Sequence, residues 1–400
     1  MTIATETKYD VGGVLLDRPF KVRRLGHFGF NLEDVEAGVR FYVDLLGFRK
    51  SDVSFTPEGQ LRGVFTRYGG DHHAFVLFKR QPAGATGMGA GAPTGVTINQ
   101  ITWQVGSLAE VGSAARWFAE TGVPIRRTGR DMPGSNWHTY ISDPDGHTNE
   151  LYYGIEQVGW DGLSKPRDMY YRGFREAPPL PQMNEFEEVQ DALDKGIDVH
   201  GGYRQTDDLP AKYAVDGVML PRPFKITRIG PVGLFVQDID ASTRFYTETM
   251  GFVPTEETSC QEERCVFLRT NTEHHSLALY PLALRDKLGM SSHTTSAYFG
   301  VQLANYRQLR DAVGFLRDNG VRVESDWTKA ELHPGIDYAA YAFDPEGHCI
   351  QLYCYMEQLG WDGRPRPQSE RRVQQPGAWP ERLEALPDSY LGEPYLGPWG

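Results

Sequence analysis

Cysteine is scarce in this chain of 400 residues, and all four copies lie in the second half. No two of them form the Cys-x-x-Cys pair of a metal or redox motif. Four scattered thiols also make no disulfide framework of the kind that holds small secreted domains together. We therefore expect all four cysteines to be reduced.

Basic residues are also in the minority, with 41 Lys and Arg against 53 Asp and Glu and a formal charge of −12. Nucleic acids and anionic membranes bind clustered Lys and Arg, so neither is an expected partner. No apolar run is long enough to span a bilayer. Residues 1–8 lack the basic flank and apolar stretch of a secretory signal, and we expect a cytoplasmic protein.

Glycine is concentrated in residues 84–95, but this stretch has no Gly-Lys-Ser/Thr and no helix pattern directly after it. Both features are needed for a loop that cradles phosphate. We interpret the stretch as a flexible linker between modules.

The two halves of the chain repeat each other. Residues 24–30 read RLGHFGF and residues 228–234 read RIGPVGL, so the second copy has Pro231 where the first has His27. An offset of about 200 residues predicts two similar domains, each large enough to bury its own core. The predicted divisions are a first domain at 1–164, a connector at 165–210, a second domain at 211–363 and a tail at 364–400.

A second motif repeats at the same offset and differs in one carboxylate. Residues 143–153 read DPDGHTNELYY, and residues 344–354 read DPEGHCIQLYC. Glu150 of the first copy is therefore Gln351 in the second. The loss of both His27 and Glu150 from the second copy predicts that function lies in the first half.

Each half contains a weaker repeat in which one strand, one helix and three more strands follow each other, a βαβββ module. Val35, Val39 and Val43 recur at helical spacing, as a helix that covers a sheet requires. The elements predicted for the first half are strands at 22–31, 49–55, 60–68, 72–79, 98–105, 123–128, 137–142 and 148–153, and helices at 34–46 and 108–121. The third and fourth modules begin at 226 and 296. Glycines that favour a left-handed helix end are expected just after the helices, at Gly47, Gly122, Gly251 and Gly320.

Paired modules with His on a first strand, and Glu on a last strand after Asp-Pro-x-Gly, resemble the vicinal oxygen chelate superfamily. That superfamily includes glyoxalase-like enzymes, epimerases and type I extradiol dioxygenases. The resemblance covers residues 20–160 and 220–360. It implies an α+β fold of two tandem domains, in each of which paired βαβββ modules form an open, cup-shaped mixed sheet. A divalent metal would lie on the floor of the cup.

The resemblance identifies His27, Gln100 and Glu150 as the candidate metal ligands. Strand alternation places Glu150 on one face of its strand, and places His27 on the same face as Leu25 and Gly29, where small neighbours leave room for an ion. A neutral imidazole and a carboxylate suit a borderline divalent cation, with positions left open for substrate and oxygen. We expect Fe(II), with Mn(II), Zn(II) and Ni(II) as alternatives.

The chain departs from the extradiol pattern in two ways. Extradiol dioxygenases have a second His where Gln100 stands, and their two-domain members usually carry the metal in the second half. Here the second half offers Pro231, Tyr298 and Gln351 at the three corresponding places, which cannot assemble a normal site. A Gln ligand does occur among the glyoxalases and epimerases of the superfamily.

Acid–base residues are also implied by the resemblance, through a His pair and through a Tyr ten residues before the ligand Glu. A neutral His can take a proton from a bound catechol and return it later. The second half repeats both features at His275 and Tyr341, so a structural role is the alternative. The matching position for His138 in the second half is Ala339, so His138 is specific to the half with the candidate ligands. The candidate catalytic residues are His73, His138 and Tyr140.

Two further histidines, His147 and His348, follow Asp-Pro-x-Gly in a turn, and we expect them to stabilise that turn. Aromatic residues are frequent near the candidate ligands and would line an aromatic cup, although such residues also form ordinary cores. They are Phe75, Trp103, Trp137, Tyr152 and Tyr153.

Three functions remain open. The first is an extradiol-type ring-cleaving dioxygenase whose partners are a small catechol-like or hydroxylated aromatic substrate and dioxygen. The second is a redox-neutral metal-dependent isomerase, lyase or hydrolase of the glyoxalase type, in which the metal stabilises an oxyanion. The third is a metal-free ligand-binding protein of the resistance type. For each, a homo-oligomer is expected.

Overall fold

The structure is a computed structural model of the chain. It describes residues 8–81, 95–130, 133–134, 136–159, 161–169, 183–206, 209–325, 327, 329, 331–359, 362–372 and 379–383. The predicted linker at 84–95 lies outside these residues except for Gly95. Among the helices in these ranges, none combines the length and the apolar character needed to cross a membrane.

The first half opens with a hairpin of β1 (Tyr9–Val11) and β2 (Val14–Leu16) and then forms an eight-stranded sheet. The strands of this sheet are β3 (Arg24–Leu32), β4 (Arg49–Phe55), β5 (Leu61–Arg67), β6 (Phe75–Lys79), β7 (Ile98–Gln104), β8 (Ile125–Arg130), β9 (Trp137–Ser142) and β10 (Thr148–Tyr153), and its helices are α1 (Val35–Val39) and α2 (Leu108–Glu120). Their order is β4-β5-β6-β3-β7-β10-β9-β8. The two modules join where β3 pairs antiparallel with β7.

The connector contains a helix that the sequence analysis did not predict, α3 (Glu185–Asp194). It begins with a capping box, in which the side chain of Asn184 accepts from the backbone of Glu187 and the side chain of Glu187 accepts from the backbone of Asn184. Lys165 reaches this helix through an ion pair with Glu188 of 2.9 Å. Local capping therefore stabilises a helix whose apolar periodicity is weak.

The second half repeats the first, with a hairpin of β11 (Tyr213–Val215) and β12 (Val218–Leu220) before its sheet. Its strands are β13 (Ile226–Val236), β14 (Val253–Cys260), β15 (Glu263–Arg269), β16 (Leu277–Pro281), β17 (Ser296–Leu303), β18 (Val323–Glu324), β19 (Ala339–Phe343) and β20 (Cys349–Tyr353), and its helices are α4 (Ile239–Arg244), α5 (Leu282–Lys287) and α6 (Tyr306–Asp318). The order β14-β15-β16-β13-β17-β20-β19-β18 matches the first sheet. The predicted α+β fold of two tandem, open mixed sheets is confirmed.

The helix predicted at 34–46 forms, but its geometry changes halfway. After α1 the chain continues as a π-helix over Arg40–Leu45, and α4 continues in the same way over Phe245–Thr249. The wider turn lets the consecutive rings of Phe41 and Tyr42 both reach the core, where they are 3% and 0% exposed. The predicted glycines after the helices have φ between 77° and 96°, in the left-handed region.

The largest apolar cluster extends across both halves. Phe299 of β17 stacks on Phe28 and Phe75, with ring centroids 4.8 and 5.1 Å apart. Trp103 packs against Phe252 across the same boundary. The two sheets thus share a core, and their other faces remain for the two candidate cups.

Candidate functional site

His27 and Glu150 lie side by side in the first sheet, although 123 residues separate them in the sequence. β7 lies between their strands, and Thr102 is the Cα partner of His27 on one side and of Glu150 on the other. Nε2 of His27 is 3.1 Å from Oε2 of Glu150, and both side chains are fully buried. The fold therefore brings two of the three candidate ligands into direct contact.

Glu150 has further polar partners on both carboxylate oxygens. Thr102 donates its hydroxyl to Oε2 at 2.8 Å, and Asn136 donates its amide to Oε1 at 2.6 Å. Nδ1 of His138 is 3.9 Å from Oε1. Burial raises the pKa of Glu150, but His27, His138 and Thr102 outweigh it and hold the pKa at about 2. The site therefore presents a carboxylate that stays ionised inside the protein.

Thr102 and Asn136 were missed by the sequence analysis. Thr102 was open to prediction, since it is two residues from Gln100 and shares its strand face. Asn136 precedes β9 and reaches Glu150 only through the path of that loop, for which the sequence gives no signal.

Gln100 lies on the same face of β7 but is paired with Gly29 rather than with His27. Its Oε1 accepts from the hydroxyl of Tyr140 at 3.4 Å. Across the part of the chain that the structure describes, no group of three or more His, Cys, Asp or Glu side chains could hold a metal. Among the described residues, Gln100 makes no hydrogen bond to His27 or Glu150, so the structure brings together only two of the three candidate ligands.

The expectation that Leu25 shares the face of His27 is wrong. The pairing of β3 with β7 shifts by one residue between Leu25, opposite Trp103, and His27, opposite Thr102. This bulge at Gly26 breaks the alternation, so Leu25 joins the core together with Trp103.

The predicted aromatic cup is also wrong for most of its members. Phe75, Trp103 and Trp137 belong to the shared core, and Tyr153 packs against it. Tyr152 alone of the five faces the site, with its ring centroid 5.1 Å from that of His27. The aromatic residues on this side are instead Phe65 and Phe78, which form a small separate cluster with Val76.

His73 lies beside His27, with the ring centroids 4.3 Å apart. Burial, aided by His27 and His72, lowers the pKa of His73 well below its usual range, so the ring is neutral at pH 7. Nδ1 of His73 is 3.1 Å from Nδ1 of His72, and His274 and His275 repeat this contact at 3.1 Å. Both halves therefore contain such a His pair, but the contact with His27 is made by the pair of the first half.

His138 and Tyr140 are neighbours on one face of β9, with ring centroids 4.6 Å apart. Tyr140 also lies under the guanidinium of Arg127, 4.9 Å from its ring centre. Tyr140 connects through its hydroxyl to Gln100, and His138 lies beside Glu150. The three candidate catalytic residues therefore all lie next to a candidate ligand.

The second half has a different set of contacts at the matching positions. Gln351, in the place of Glu150, donates from Nε2 to Nδ1 of His333 at 2.9 Å. Tyr298, in the place of Gln100, is 3.3 Å from Nε2 of His275 through its hydroxyl. His333 lies in a loop, and the sequence analysis did not single it out.

His147 and His348 bind their own turns as predicted, through Nδ1 to the carboxylates of Asp143 and Asp344 at 2.8 and 2.9 Å. Their Nε2 atoms also cross between the halves, to Thr295 from His147 and to Thr97 from His348. They are part of the domain contact and not of the site.

The contact between His27 and Glu150 has a spacing that fits two ligands of one divalent cation. Ligand atoms about 2.1 Å from one ion and at right angles to each other lie about 3 Å apart, close to the 3.1 Å between His27 and Glu150. Within the described residues, Nδ1 of His27 and the hydroxyl of Tyr152 are buried without hydrogen-bond partners. An imidazole, a carboxylate and an amide oxygen are donors that such ions accept.

Comparison with known proteins assigns the family. The model of the glyoxalase/bleomycin resistance protein/dioxygenase superfamily matches residues 24–151 and 228–352. The chain belongs to this superfamily, and the matched ranges coincide with its two sheets.

Individual relatives include metapyrocatechase 2 of Cupriavidus necator, which is 31% identical over 137 residues. That match covers 34% of this chain and 38% of the relative. Among solved structures, the 2,3-dioxygenase LapB from a Pseudomonas species has a TM-score of 0.56 at 17% identity, covering 86% of this chain and 97% of the other. A Mn(II)-bound glyoxalase from Novosphingobium aromaticivorans has a TM-score of 0.54 at 16% identity, covering 95% and 93%. The two structures share the fold.

Proposed function

We propose that this protein is an extradiol-type dioxygenase that cleaves the ring of a catechol-like or hydroxylated aromatic substrate with a divalent metal, Fe(II) first. The observation that carries the proposal is the fully buried contact of 3.1 Å between His27 and Glu150, in the half of a superfamily member that keeps both residues. The similarity to metapyrocatechase 2 supports the reaction type.

His27, Glu150 and Gln100 would hold the metal. When bound, a divalent ion of this kind supplies Lewis-acid activation of oxygen atoms and open positions for substrate and dioxygen. Thr102 and Asn136 orient the carboxylate of Glu150 through the hydrogen bonds described above. Such partners of a ligand tune both its position and its basicity.

Proton transfer is assigned to the histidines that border the ligands. A catechol must lose protons before ring cleavage, and a neutral imidazole within hydrogen-bond reach can accept one. His73, neutral because of its burial, lies against His27, and His138 lies 3.9 Å from Glu150. Tyr140 would position Gln100 through its hydroxyl, and Phe65, Phe78 and Tyr152 offer apolar surface to an aromatic ring.

A redox-neutral reaction of the glyoxalase type is the second candidate. Gln100 favours it, because an amide at this position resembles the glyoxalase pattern more than the extradiol one. The fold likeness to a Mn(II)-bound glyoxalase is compatible with either function. In this alternative, the same ligands would hold an ion that stabilises an oxyanion.

Two measurements on the purified protein test the choice. Oxygen uptake with a panel of catechols, assayed with and without air, should show consumption of one dioxygen per ring cleaved. Turnover that continues without oxygen would transfer the assignment to the redox-neutral reaction. Metal analysis with no bound ion, and no activity after addition of Fe(II), would favour a metal-free binding protein. Gln100→His should retain the ion, and complete loss of the metal from this variant would argue that the amide does not stand in for an imidazole.

A further inference from the structure

His72 and His73 are adjacent in the sequence and touch through one nitrogen of each ring. Their Nδ1 atoms are 3.1 Å apart, which is a hydrogen-bond distance. Both rings are buried, and burial lowers the pKa of His72 to about 3, as it also lowers the pKa of His73. A neutral imidazole carries one proton, on one of its two nitrogens. One ring therefore donates from Nδ1 and the other ring accepts there.

Glu156 lies beside the other nitrogen of His72. The backbone N–H of His72 donates to the carbonyl oxygen of Glu156 at 2.8 Å, which holds the two residues next to each other. Nε2 of His72 is buried without a hydrogen-bond partner among the described residues, and Oε2 of Glu156 is 4.0 Å away from it. A carboxylate attracts an N–H and repels the lone pair of a ring nitrogen. Glu156 therefore favours the tautomer of His72 that has its proton on Nε2.

The tautomer of His72 fixes the tautomer of His73. With its proton on Nε2, His72 has a lone pair on Nδ1, so the proton in the contact of 3.1 Å belongs to His73. His73 then carries its single proton on Nδ1 and a lone pair on Nε2. A proton acceptor at this position needs that lone pair, because Nδ1 is occupied by His72.

The second half contains a complete chain of such contacts. Nε2 of His274 is 3.1 Å from Oε2 of Glu256, and its Nδ1 is 3.1 Å from Nδ1 of His275. Nε2 of His275 is in turn 3.3 Å from the hydroxyl of Tyr298. All three contacts are satisfied when His274 carries its proton on Nε2 and His275 accepts from the hydroxyl of Tyr298. The second His of the pair is then a hydrogen-bond acceptor for a phenolic hydroxyl.

The first half has a different residue at the place of that tyrosine. Gln100 stands where the second half has Tyr298, and its Oε1 accepts from Tyr140. The phenolic hydroxyl that ends the chain of contacts in the second half therefore has no counterpart at this position. A hydroxyl of a catechol-like substrate has the same chemistry and can donate to Nε2 of His73.

We propose that Glu156 and His72 are positioning residues, which hold His73 in the tautomer with a lone pair on Nε2, so that this nitrogen accepts the proton of a substrate hydroxyl. The role of the substrate rests on the proposed function, whereas the tautomer does not. In the step, the O–H bond of the substrate breaks, an N–H bond forms at Nε2, and the electron pair stays on the substrate oxygen.

Glu156→Gln should reverse both tautomers. Oε1 of Glu156 accepts from the backbone N–H of Lys165 at 2.6 Å, so an amide in this place would keep its oxygen there and turn its nitrogen towards His72. An amide nitrogen only donates, so Nε2 of His72 would have to accept and its proton would move to Nδ1. That proton would then occupy the contact with His73, and the proton of His73 would move to Nε2.

Long-range correlation spectra of the full chain, labelled with nitrogen-15 histidine, report which ring nitrogen carries the proton. The spectra of His72→Gln and His73→Gln assign the two sets of signals. At pH 7 we expect His73 to be protonated on Nδ1 in the wild type and on Nε2 in Glu156→Gln.

Turnover should follow the tautomer. The kcat of Glu156→Gln should fall about 10²- to 10⁴-fold with the metal retained, because a catalytic His held in the wrong tautomer cannot accept the proton. Glu357→Gln makes the same change at the matching position of the second half. It is the control, and it should leave kcat and the signals of His72 and His73 unchanged.

Three results would each overturn the inference: a wild-type spectrum with the proton of His73 on Nε2, an unchanged tautomer in folded Glu156→Gln, or an unchanged kcat after the tautomers reverse. The wild-type spectrum needs no variant, so the inference can fail even if Glu156→Gln does not fold. A wild-type protein that consumes no oxygen would instead count against the proposed function, and the spectra would still decide the tautomer.

Discussion

The hydroxyl of Tyr42, in the first half, donates to Oδ2 of Asp344, in the second half, at 3.0 Å. The second half returns the same bond, from Tyr246 to Asp143, also at 3.0 Å. Both tyrosines are fully buried. Each aspartate belongs to an Asp-Pro-x-Gly turn, so each half completes the turn of the other. The repeated motif therefore joins the two halves, whereas the candidate ligands His27 and Glu150 occur only in the first.

Removing one of these hydroxyls should destabilise the protein. Tyr42→Phe leaves the buried carboxylate of Asp344 with one partner fewer, and we expect the free energy of unfolding to fall by about 1 to 3 kcal/mol. Tyr246→Phe should cost a similar amount. Urea unfolding measures both, with the exposed Tyr213 as the control, since Tyr213→Phe should change stability by less than about 0.5 kcal/mol. Equal stability of all three variants would contradict the pairing role.

The contact of His147 with Asp143, in one of these turns, predicts a pH dependence of stability. Burial lowers the pKa of His147, but the carboxylate of Asp143 outweighs it, and the pKa of His147 is raised. A histidine whose pKa is higher in the folded state contributes its full stabilisation of the folded protein below the unfolded-state pKa of about 6.5. That stabilisation is lost as the pH rises through the folded-state pKa. The free energy of unfolding should therefore decrease from about pH 6 towards alkaline pH. His147→Gln should flatten this slope, and the exposed His200→Gln should not.

Metal content should depend on the first half alone. His27→Ala removes one of the two ligands in contact, so the purified variant should contain no bound ion by elemental analysis. Pro231→Ala changes the matching position of the second half and should retain it. Equal metal content in the two variants would place the ion elsewhere.

Thr102 should affect metal binding through its hydrogen bond to Glu150. Thr102→Val keeps the shape but removes the hydrogen bond of 2.8 Å to the carboxylate, and loss of such a partner typically weakens metal binding about 10- to 100-fold. Titration with Fe(II) or Mn(II) measures the affinity. Thr139→Val is the control and should bind the ion normally, because Thr139 is a buried threonine of β9 that bonds to Thr128 instead.

His73 and His275 offer a matched pair for the proton-transfer assignment. His73 lies against His27, whereas His275 bonds to Tyr298 in the half without ligands. His73→Gln should lower kcat about 10²- to 10⁴-fold with the metal retained. His275→Gln should leave kcat near that of the wild type. A similar kcat for the two variants would contradict proton transfer by His73 and would indicate that the His pair has a structural role in both halves.

Much of the fold could be predicted because its signals are local. Strands at 49–55, 137–142 and 148–153 were predicted to the residue, since alternation and turn motifs define them. The π-helical turns, the bulge at Gly26 and α3 were not predicted, because each depends on packing or capping that apolar periodicity does not encode.

The sequence by itself determined the two-domain repeat, the superfamily and the half in which an imidazole and a carboxylate survive. These follow from residue identity at matched positions, which folding does not alter. Only the tertiary structure decided that His27 meets Glu150, that Thr102 and Asn136 hold the carboxylate, and that Trp103 belongs to the core. Contacts between distant strands depend on sheet register, and a one-residue bulge exchanges the two faces, so no local pattern could fix them.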